Sequence, residues 1–495
     1  MQRVSGGLFG AAIFFLGLWS AGCTVGPDYQ KPATRMPKGW SRQAQPPMAS
    51  EEILKSWWSG LQDPFLDELI ERAGRGNLGL EESLYRIEES RALRDYTAGR
   101  NYPKVAFSGS YIRSRSSQNT GLRAPGSGSE QGLYSTGFDA AWELDLFGGI
   151  RRSVESAQAQ LEASVEADRA IRISLYAEVA ASYIELRTAR MRLHYAQENI
   201  AAQKEMLALT ENRYKAGIAP ELDVAQAQQN LADTESDLPL IRLAEQIAAN
   251  RLAVLVGEYP QEFHLPTEGF GLSPLPTLNE LPTGLPADLL RRRPDIRMAE
   301  RQLAAQTARI GMAAAELYPS FSLSGSFYLQ AEHFSNLGNY SSKSTAYGPG
   351  LRWRVFEGGR LRSLIRAEEA RTRQALVHYE QTVLSAVEEV ETALVAYEQE
   401  LLREQALGRA VQASENSVRL VQSLYRSGLT NFQNVLDAQR TLFRLQDRLA
   451  ASRGTVVVDL IRVYKALGGG WDPAAEEIVQ TTSDSDESKS GSSKS

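Results

Sequence analysis

Two short stretches, Tyr214-Lys215-Ala216-Gly217-Ile218 and Tyr425-Arg426-Ser427-Gly428-Leu429, share one pattern and decide the fold. Each ends a long proline-free segment, residues 149–216 and 359–426, that is rich in the strong helix formers Ala, Leu, Glu, Gln and Arg. The glycine of each stretch fits the left-handed residue that ends many helices, where a side chain would clash. We therefore predict two turns, each at the end of a helix of roughly 100 Å.

The sequence around these turns repeats as well, which indicates an internal duplication. Ala227-Gln228 matches Ala438-Gln439 downstream of the turns, and Tyr102-Pro103 parallels Tyr318-Pro319 upstream of them. Repeats this long are not solenoid units. We predict two copies of one half, each with a leading helix, two strands, a long helix and a return helix.

The lengths of the remaining helices suggest how each half is built. We expect return helices at about 221–256 and 431–467, and leading helices at about 64–101 and 293–317. A return helix stacked end to end on a leading helix would match the length of one long helix; unrelated helical hairpins are the alternative. The second long helix also carries a coiled-coil seam with apolar spacings of three and four, formed by Val383, Val387, Val390, Leu394, Tyr397 and Leu401 and then by Leu407, Val411, Ser414, Val418, Val421 and Tyr425.

Four segments alternate between apolar and polar residues and predict strands at about 104–115, 133–147, 319–331 and 345–356. Strands of about 11 residues match the tilted membrane-crossing length, and aromatic side chains on one face are typical of a transmembrane barrel. A soluble sandwich would show the same alternation. Four strands cannot close a barrel, and an open edge cannot lie in lipid, so a membrane sheet of this size requires oligomerisation.

Composition excludes several classes of protein. The net charge of −6 argues against a general nucleic-acid binder, and the mean hydropathy of −0.33 excludes a multi-span helical membrane protein. With one cysteine and four scattered histidines we expect no metal site and no cofactor. The run Arg291-Arg292-Arg293 precedes Pro294, so we interpret these arginines as solvated or paired with carboxylates rather than as a nucleic-acid site.

The N-terminus is typical of an export signal. Arg3 precedes the apolar stretch Leu8–Leu18, which is too short to span a membrane, and small residues lead to Cys23. We expect a signal peptide at 1–22 and lipidation of Cys23; a simple signal with an incidental cysteine is the alternative. Thr24, in place of an aspartate that would favour retention in the inner membrane, favours the outer membrane.

The predicted organisation follows from these features. Residues 258–290 contain six of the 20 prolines, which predicts a linker, and the Ser-rich end has little to bury. We divide the chain into a signal peptide (1–22), a lipid-anchored segment (23–63), a first repeat (64–257), a Pro-rich linker or equatorial region (258–290), a second repeat (291–471) and a disordered tail (472–495).

Ordered motifs from about residue 20 to 471 resemble those of the TolC-type outer membrane factors, and most closely the lipoprotein branch that serves RND multidrug efflux. They are Cys23-Thr24-Val25-Gly26-Pro27-Asp28-Tyr29, Trp57-Trp58, Asp63-Pro64, Leu289-Leu290-Arg291-Arg292-Arg293-Pro294-Asp295-Ile296, Leu317-Tyr318-Pro319-Ser320 and the two turns with Asp223-Val224 and Val435-Leu436-Asp437-Ala438-Gln439. The resemblance implies a mainly helical protein with membrane strands: a homotrimer whose 12-stranded β-barrel in the outer membrane continues into a 12-helix periplasmic α-barrel. It also implies a periplasmic adaptor protein and an inner-membrane RND-type pump as partners.

The resemblance also implies roles for single residues. Gly217 and Gly428 would lie at the periplasmic tips, where the tunnel narrows and the adaptor docks. Asp437 matches one of two acidic rings at the pore constriction, although spacing alone favours a solvated polar residue. The remaining gate positions are Asp223 and Tyr425, which match gate links, and Asn434 and Thr430, which replace the acidic companion of Asp437 and a linking arginine.

We weighed three classes of function. No phosphate-binding loop, nucleophile elbow, zinc-protease or dinucleotide motif is present, so we expect no enzyme. A lipid-tethered periplasmic coiled coil would have no use for two membrane-length amphipathic hairpins. We therefore predict an outer-membrane exit duct for efflux of small molecules; a duct for type I protein or glycolipid secretion is the alternative. The sequence does not name the cargo.

Overall fold

The protein is described here by a computed structural model. The structure describes residues 24–37, 39–41, 54–115, 117, 130–264 and 292–471. The predicted signal peptide, the predicted lipidation site Cys23, most of the predicted linker and the predicted tail lie outside the described residues.

The helices and strands follow one another in the order predicted for a duplicated chain. In chain order they are α1 (Pro64–Gly76), α2 (Leu78–Ala98), β1 (Lys104–Arg115), β2 (Glu130–Leu144), α3 (Gly149–Lys215), α4 (Glu221–Leu255), α5 (Pro294–Ala315), β3 (Ser320–Ala331), β4 (Lys343–Arg352), α6 (Arg360–Arg426) and α7 (Phe432–Ala466). The long helices α3 and α6 each have 67 residues, and the return helices α4 and α7 each have 35. This agreement confirms the predicted duplication.

The first leading helix differs from the prediction of one helix over about 64–101. It breaks at Asn77, whose backbone is extended (φ −71°, ψ 119°). The Asn77 side chain explains the break: Oδ1 accepts from Leu80 N at 3.1 Å, and Nδ2 donates to Leu255 O at 2.9 Å. Asn77 therefore caps the start of α2 and satisfies a carbonyl at the end of α4.

The second junction between a return and a leading helix is built in the same way. Arg293, just before α5, donates from Nη1 to Ala466 O at 2.6 Å and pairs with Asp295 at 2.7 Å and Glu389 at 2.8 Å. The prediction of carboxylate-paired arginines is confirmed for Arg293. At both junctions the end of a return helix is thus tied to the start of a leading helix, as end-to-end stacking requires.

The chain divides into two compact units. The first contains the described residues of 24–33, 86–165 and 298–380, and the second those of 34–85, 166–297 and 381–471. The core of the second unit is apolar and aromatic, and the rings of Trp57 and Tyr464 stack there with centroids 5.4 Å apart. The predicted seam of α6 is buried or half-buried at every position.

The first unit contains one antiparallel sheet in the order β1-β2-β3-β4. Hairpins β1–β2 and β3–β4, one from each half, are joined where Phe138 of β2 lies opposite Phe327 of β3. β2 was predicted at 133–147 and β4 at 345–356, and both end earlier, at Leu144 and Arg352. The reason is pairing: Leu144 lies opposite Phe321 and Arg352 opposite Ser320, where β3 begins, so later residues have no partner strand.

One face of this sheet exposes large apolar side chains. Phe107, Phe138 and Phe327 lie side by side on three strands, and each is exposed over 42% or more of its surface. On the other face Tyr328 hydrogen bonds to Ser108 and Asp139. A contiguous exposed apolar face marks an interaction surface, which for this sheet means lipid or protein.

No helix in the described part of the chain combines the length and apolar character needed to cross a membrane.

Candidate functional site

Each long helix ends at one of the predicted glycines in the predicted conformation. Gly217 has φ +73° and Gly428 has φ +77°. At the first turn Gly217 N donates to Tyr214 O and Ile218 N to Arg213 O, both at 2.8 Å. The second turn has the same two bonds, which together form a Schellman motif. A Cβ at either glycine would meet no atom within 4 Å, so backbone conformation alone requires glycine there.

A small apolar cluster lies next to the turns and joins both helical hairpins of the chain. The Tyr425 ring, 3% exposed, packs on Phe432 with centroids 5.3 Å apart. Met206 of α3 and Ala227 of α4 belong to the same cluster, together with Val435 and Leu436 of α7. We call this set the tip cluster. It fixes the end of one hairpin against the other within a single chain.

Arg213 makes the polar contact between the two long helices at this point. Its Nη1 donates to Tyr425 O at 3.1 Å and to Arg426 O at 3.3 Å, two carbonyls in the last turn of α6, of which Tyr425 O also accepts from Gly428 N. Its guanidinium carbon lies 4.7 Å from the centre of the Tyr425 ring. No sequence pattern singled out Arg213; a basic residue in the last turn of a helix was the only local signal.

Asp223, the first predicted gate link, lies half-buried in the first turn of α4. Burial raises the pKa of its carboxyl, and the charge of Arg213 opposes that rise. Tyr425, the second predicted link, is buried as described. Among the described residues its hydroxyl has no hydrogen-bond partner. Within the single chain, Arg213 bonds to Tyr425 and its charge acts on Asp223. In the described part of the chain, no hydrogen bond joins Asp223 to Tyr425 directly.

The predicted constriction residues lie at the start of α7 and are held by local contacts. Asn434 donates from Nδ2 to Thr430 Oγ1 at 2.8 Å, and its backbone N–H is capped by Asn431 at 3.2 Å. Asp437 is exposed and accepts from Gln433 Nε2 at 3.1 Å. These bonds fix the first turn of α7 and leave the Asp437 carboxylate in solvent.

Asp437 also lines a charged groove of about 560 Å³ in the second unit. Four aspartates and three arginines line it: Asp233, Asp237, Asp437, Asp447, Arg192, Arg440 and Arg444. Arg192 pairs with Asp447 at 2.6 Å, and Arg440 donates to Asn230 Oδ1 at 2.7 Å. The Arg192–Asp447 pair therefore neutralises one charge of each sign, and the groove keeps three aspartates, Asp437 among them, beside two arginines.

The segment after the predicted lipidation site is held firmly in the first unit. Val25 N donates to Phe147 O at 3.1 Å. Arg152, whose side chain is 4% exposed, bonds to Val25 O at 3.2 Å and to Asp28 at 2.6 Å. Gly26 fits closely on Gly311, where a Cβ would lie 2.4 Å from the Gly311 Cα. The segment from Val25 to Asp28 is thus held beside the end of β2, a contact that sequence spacing did not reveal.

The described residues contain no group of three or more His, Cys, Asp or Glu side chains that could hold a metal ion.

Comparison with known proteins assigns this architecture to a family. The model of the family described as outer membrane efflux protein matches residues 69–258 and 285–469, more than half of the chain. Outer membrane protein OprJ of Pseudomonas aeruginosa is 32% identical over 476 residues, 95% of this chain and 98% of OprJ. Nodulation protein T of Rhizobium leguminosarum bv. viciae is 30% identical over 464 residues, 94% of each chain. The solved outer-membrane channel OprN superposes with a TM-score of 0.84 at 37% identity, over 91% of this chain and all of OprN.

The fold and the turns define an outer-membrane channel. The chain belongs to the outer membrane efflux protein family. Its location is the outer membrane of a Gram-negative bacterium, where it acts as an exit duct for efflux. The predicted fold and function are thereby confirmed at this level.

Proposed function

We propose that three copies of this chain form the exit duct of a tripartite efflux system, which conducts small molecules without converting them. The four-stranded sheet carries this proposal. In the described residues, β1 and β4 each pair on one side only, so the sheet has two open edges. The exposed aromatic face is compatible with lipid, but the unpaired backbone groups of the open edges are not. Copies of the chain must therefore join edge to edge. Three copies would give twelve strands, an even number well above the minimum of about eight.

In the trimer the α-helices would continue the duct into the periplasm, with the turns at Gly217 and Gly428 at its far end. Three copies of Asp437 would then surround one axis. Because like charges inside a low-dielectric tube focus the field, such a ring would favour cations at the constriction. The exposure of the Asp437 carboxylate supports this assignment.

The partners in this proposal are a periplasmic adaptor and an inner-membrane pump of the RND type. Exposed apolar residues at the tip, Ile218 at 65% and Leu429 at 75%, support a docking role because they lie next to the turns and are uncovered in the single chain. Since a duct binds cargo weakly, substrate choice would belong to the pump. A crosslinked pull-down from intact cells, followed by identification of the pump, would define the substrate class.

Lipidation of Cys23 completes the proposal. Val25 and Gly26, which follow the proposed acylation site in sequence, are held tightly beside the end of β2. An anchor there would hold each copy at the bilayer while the barrel closes. One acyl chain binds a membrane only marginally, so a lipoprotein anchor relies on more than one chain.

The proposal is tested by the state of the protein in cell envelopes. We expect unboiled protein from the outer-membrane fraction to migrate as a trimer and to become a monomer on heating. Reconstituted trimer should conduct ions across planar bilayers. A monomer that fractionates with the soluble periplasm would contradict the proposal.

A further inference from the structure

We propose that Arg213 is the residue that positions the tip for closure: it holds the end of α6 through the carbonyls of Tyr425 and Arg426 and through the face of the Tyr425 ring. The inference rests on the proposed duct and adds to it a residue that the resemblance did not mark. It also changes the role of Tyr425, from a hydroxyl that links to a carboxylate to a ring and a carbonyl that receive a cation.

Arg213 connects the ends of the two long helices directly. Arg213 lies in the last turn of α3, and its guanidinium reaches two carbonyls in the last turn of α6 at 3.1 and 3.3 Å. A helix C-terminus carries partial negative charge, so a guanidinium there gains from the helix dipole as well as from hydrogen bonds. These contacts connect the two long helices where each turns, 212 residues apart in sequence.

The Tyr425 side chain meets the guanidinium through its ring. The ring is 3% exposed and contacts both the Arg213 guanidinium at 4.7 Å and the Phe432 ring at 5.3 Å. A cation over a desolvated aromatic face is attracted electrostatically to the ring. The hydroxyl, in contrast, has no hydrogen-bond partner among the described residues. Within the Tyr425 side chain, the ring and not the hydroxyl therefore makes the contacts that hold the tip.

The charges at the tip also single out Arg213. Thr430, beside the second turn, is neutral, and its hydroxyl oxygen accepts from Asn434 Nδ2 at 2.8 Å. Arg213 is the charge that acts on the half-buried Asp223. The Arg213 guanidinium thus bonds to the α6 carbonyls, contacts the Tyr425 ring and acts electrostatically on Asp223. Opening the tip would have to break the carbonyl bonds and the ring contact.

The experiment measures open probability of the full trimer in planar bilayers. Arg213→Met keeps side-chain length and removes the charge; we expect the open probability to rise about tenfold. Arg213→Lys keeps the charge but loses the planar fork, so closure should be restored only in part. Lys215→Met is the matched control, because Lys215 is exposed at the same tip and its side chain makes no hydrogen bond or ion pair among the described residues.

Two substitutions at Tyr425 separate the ring from the hydroxyl. Tyr425→Phe should gate like the wild type, whereas Tyr425→Leu should open the channel as Arg213→Met does. Wild-type gating of Arg213→Met, or opening by Tyr425→Phe, would overturn the inference. If Arg213→Met does not assemble, the Tyr425 pair decides alone. If the proposed duct function is wrong, the wild-type protein will neither form trimers nor conduct ions. That result is distinct from a failure of the Arg213 inference, in which the wild-type channel still conducts.

Discussion

The carboxylate of Asp63 lies 2.7 Å from Nη1 of Arg187, although 124 residues separate them in sequence. The same oxygen accepts from Tyr183 Oη at 2.6 Å, and the other oxygen caps α1 through Phe65 N at 3.2 Å. The Arg187 side chain is 6% exposed and that of Asp63 15%. One aspartate therefore starts a helix and also balances a buried cation of α3 in the second unit.

We expect Asp63→Asn to lower the free energy of unfolding by about 2–3 kcal/mol, because the amide can still cap α1 but no longer carries the charge opposite the buried guanidinium. Denaturant unfolding in detergent measures the effect. Glu71→Gln is the matched control: Glu71 pairs with Arg75, and both side chains are more than 60% exposed. Loss of this exposed ion pair should lower the free energy of unfolding by less than about 1 kcal/mol. Equal effects of the two changes would refute the buried role of Asp63.

Glu300 predicts how the N-terminal segment responds to pH. It accepts from Tyr29 at 3.1 Å and pairs with Lys31 at 3.0 Å and Arg301 at 2.8 Å. Burial by itself would raise the pKa of Glu300, but bonds and charges from Lys31 and Arg301 outweigh it and hold the pKa below its ordinary value. Since the folded pKa is the lower one, the unfolded state binds more protons as pH falls. The stabilisation is present above the ordinary pKa and is lost on acidification through the folded pKa.

Hydrogen exchange of peptides covering residues 24–33 should therefore quicken as pH falls below about 4.5, after correction for the intrinsic rate. Glu300→Gln should make the corrected rate nearly independent of pH in that range. Glu316→Gln is the control, because Glu316 and its partner Arg354 are both 45% exposed. Unchanged pH dependence in Glu300→Gln would show that another group holds the segment.

Alanine substitutions at two glycines, one in the turn after α6 and one inside α6, should change the free energy of unfolding in opposite directions. Gly428 has φ +77°, so Gly428→Ala should destabilise the protein by about 1–2 kcal/mol. Gly408 lies inside α6 with open space around it, so Gly408→Ala should stabilise by about 0.5–1 kcal/mol. Denaturant midpoints of the two variants measured side by side test this. A stabilising Gly428→Ala would mean that the turn does not need a left-handed residue in solution.

Local sequence pattern was enough to predict the long helices, their glycine ends and the alternating strands, because each depends on neighbours within a turn or a strand. The ends of β2 and β4 were wrong because a strand ends where its partner does, and Ser320 is distant in sequence from both. Asn77 broke a predicted helix by bonding to Leu255. Arg213 was missed for the same reason: its acceptors lie in the other half of the chain, and no short-range spacing encodes them.

Cys23→Ser should abolish incorporation of radiolabelled palmitate, because the thiol is the proposed acyl acceptor and serine offers none. The variant should still fold, since the contacts of Val25 and Gly26 do not involve residue 23. Trimer yield on unheated gels is the control for folding. Labelling that persists in Cys23→Ser would place the acyl site elsewhere.

Asp437→Asn should lower the preference of the reconstituted channel for cations, measured as the reversal potential in a salt gradient. Three carboxylates around one axis would be replaced by three neutral amides of the same size, so the pore keeps its width and loses its field. Asn434→Asp should act in the opposite direction, because it adds a second acidic ring one turn earlier on α7. Glu415→Gln, an exposed change on α6, is the control for total charge. If Asp437→Asn and Glu415→Gln leave the reversal potential equally unchanged, Asp437 does not line the constriction.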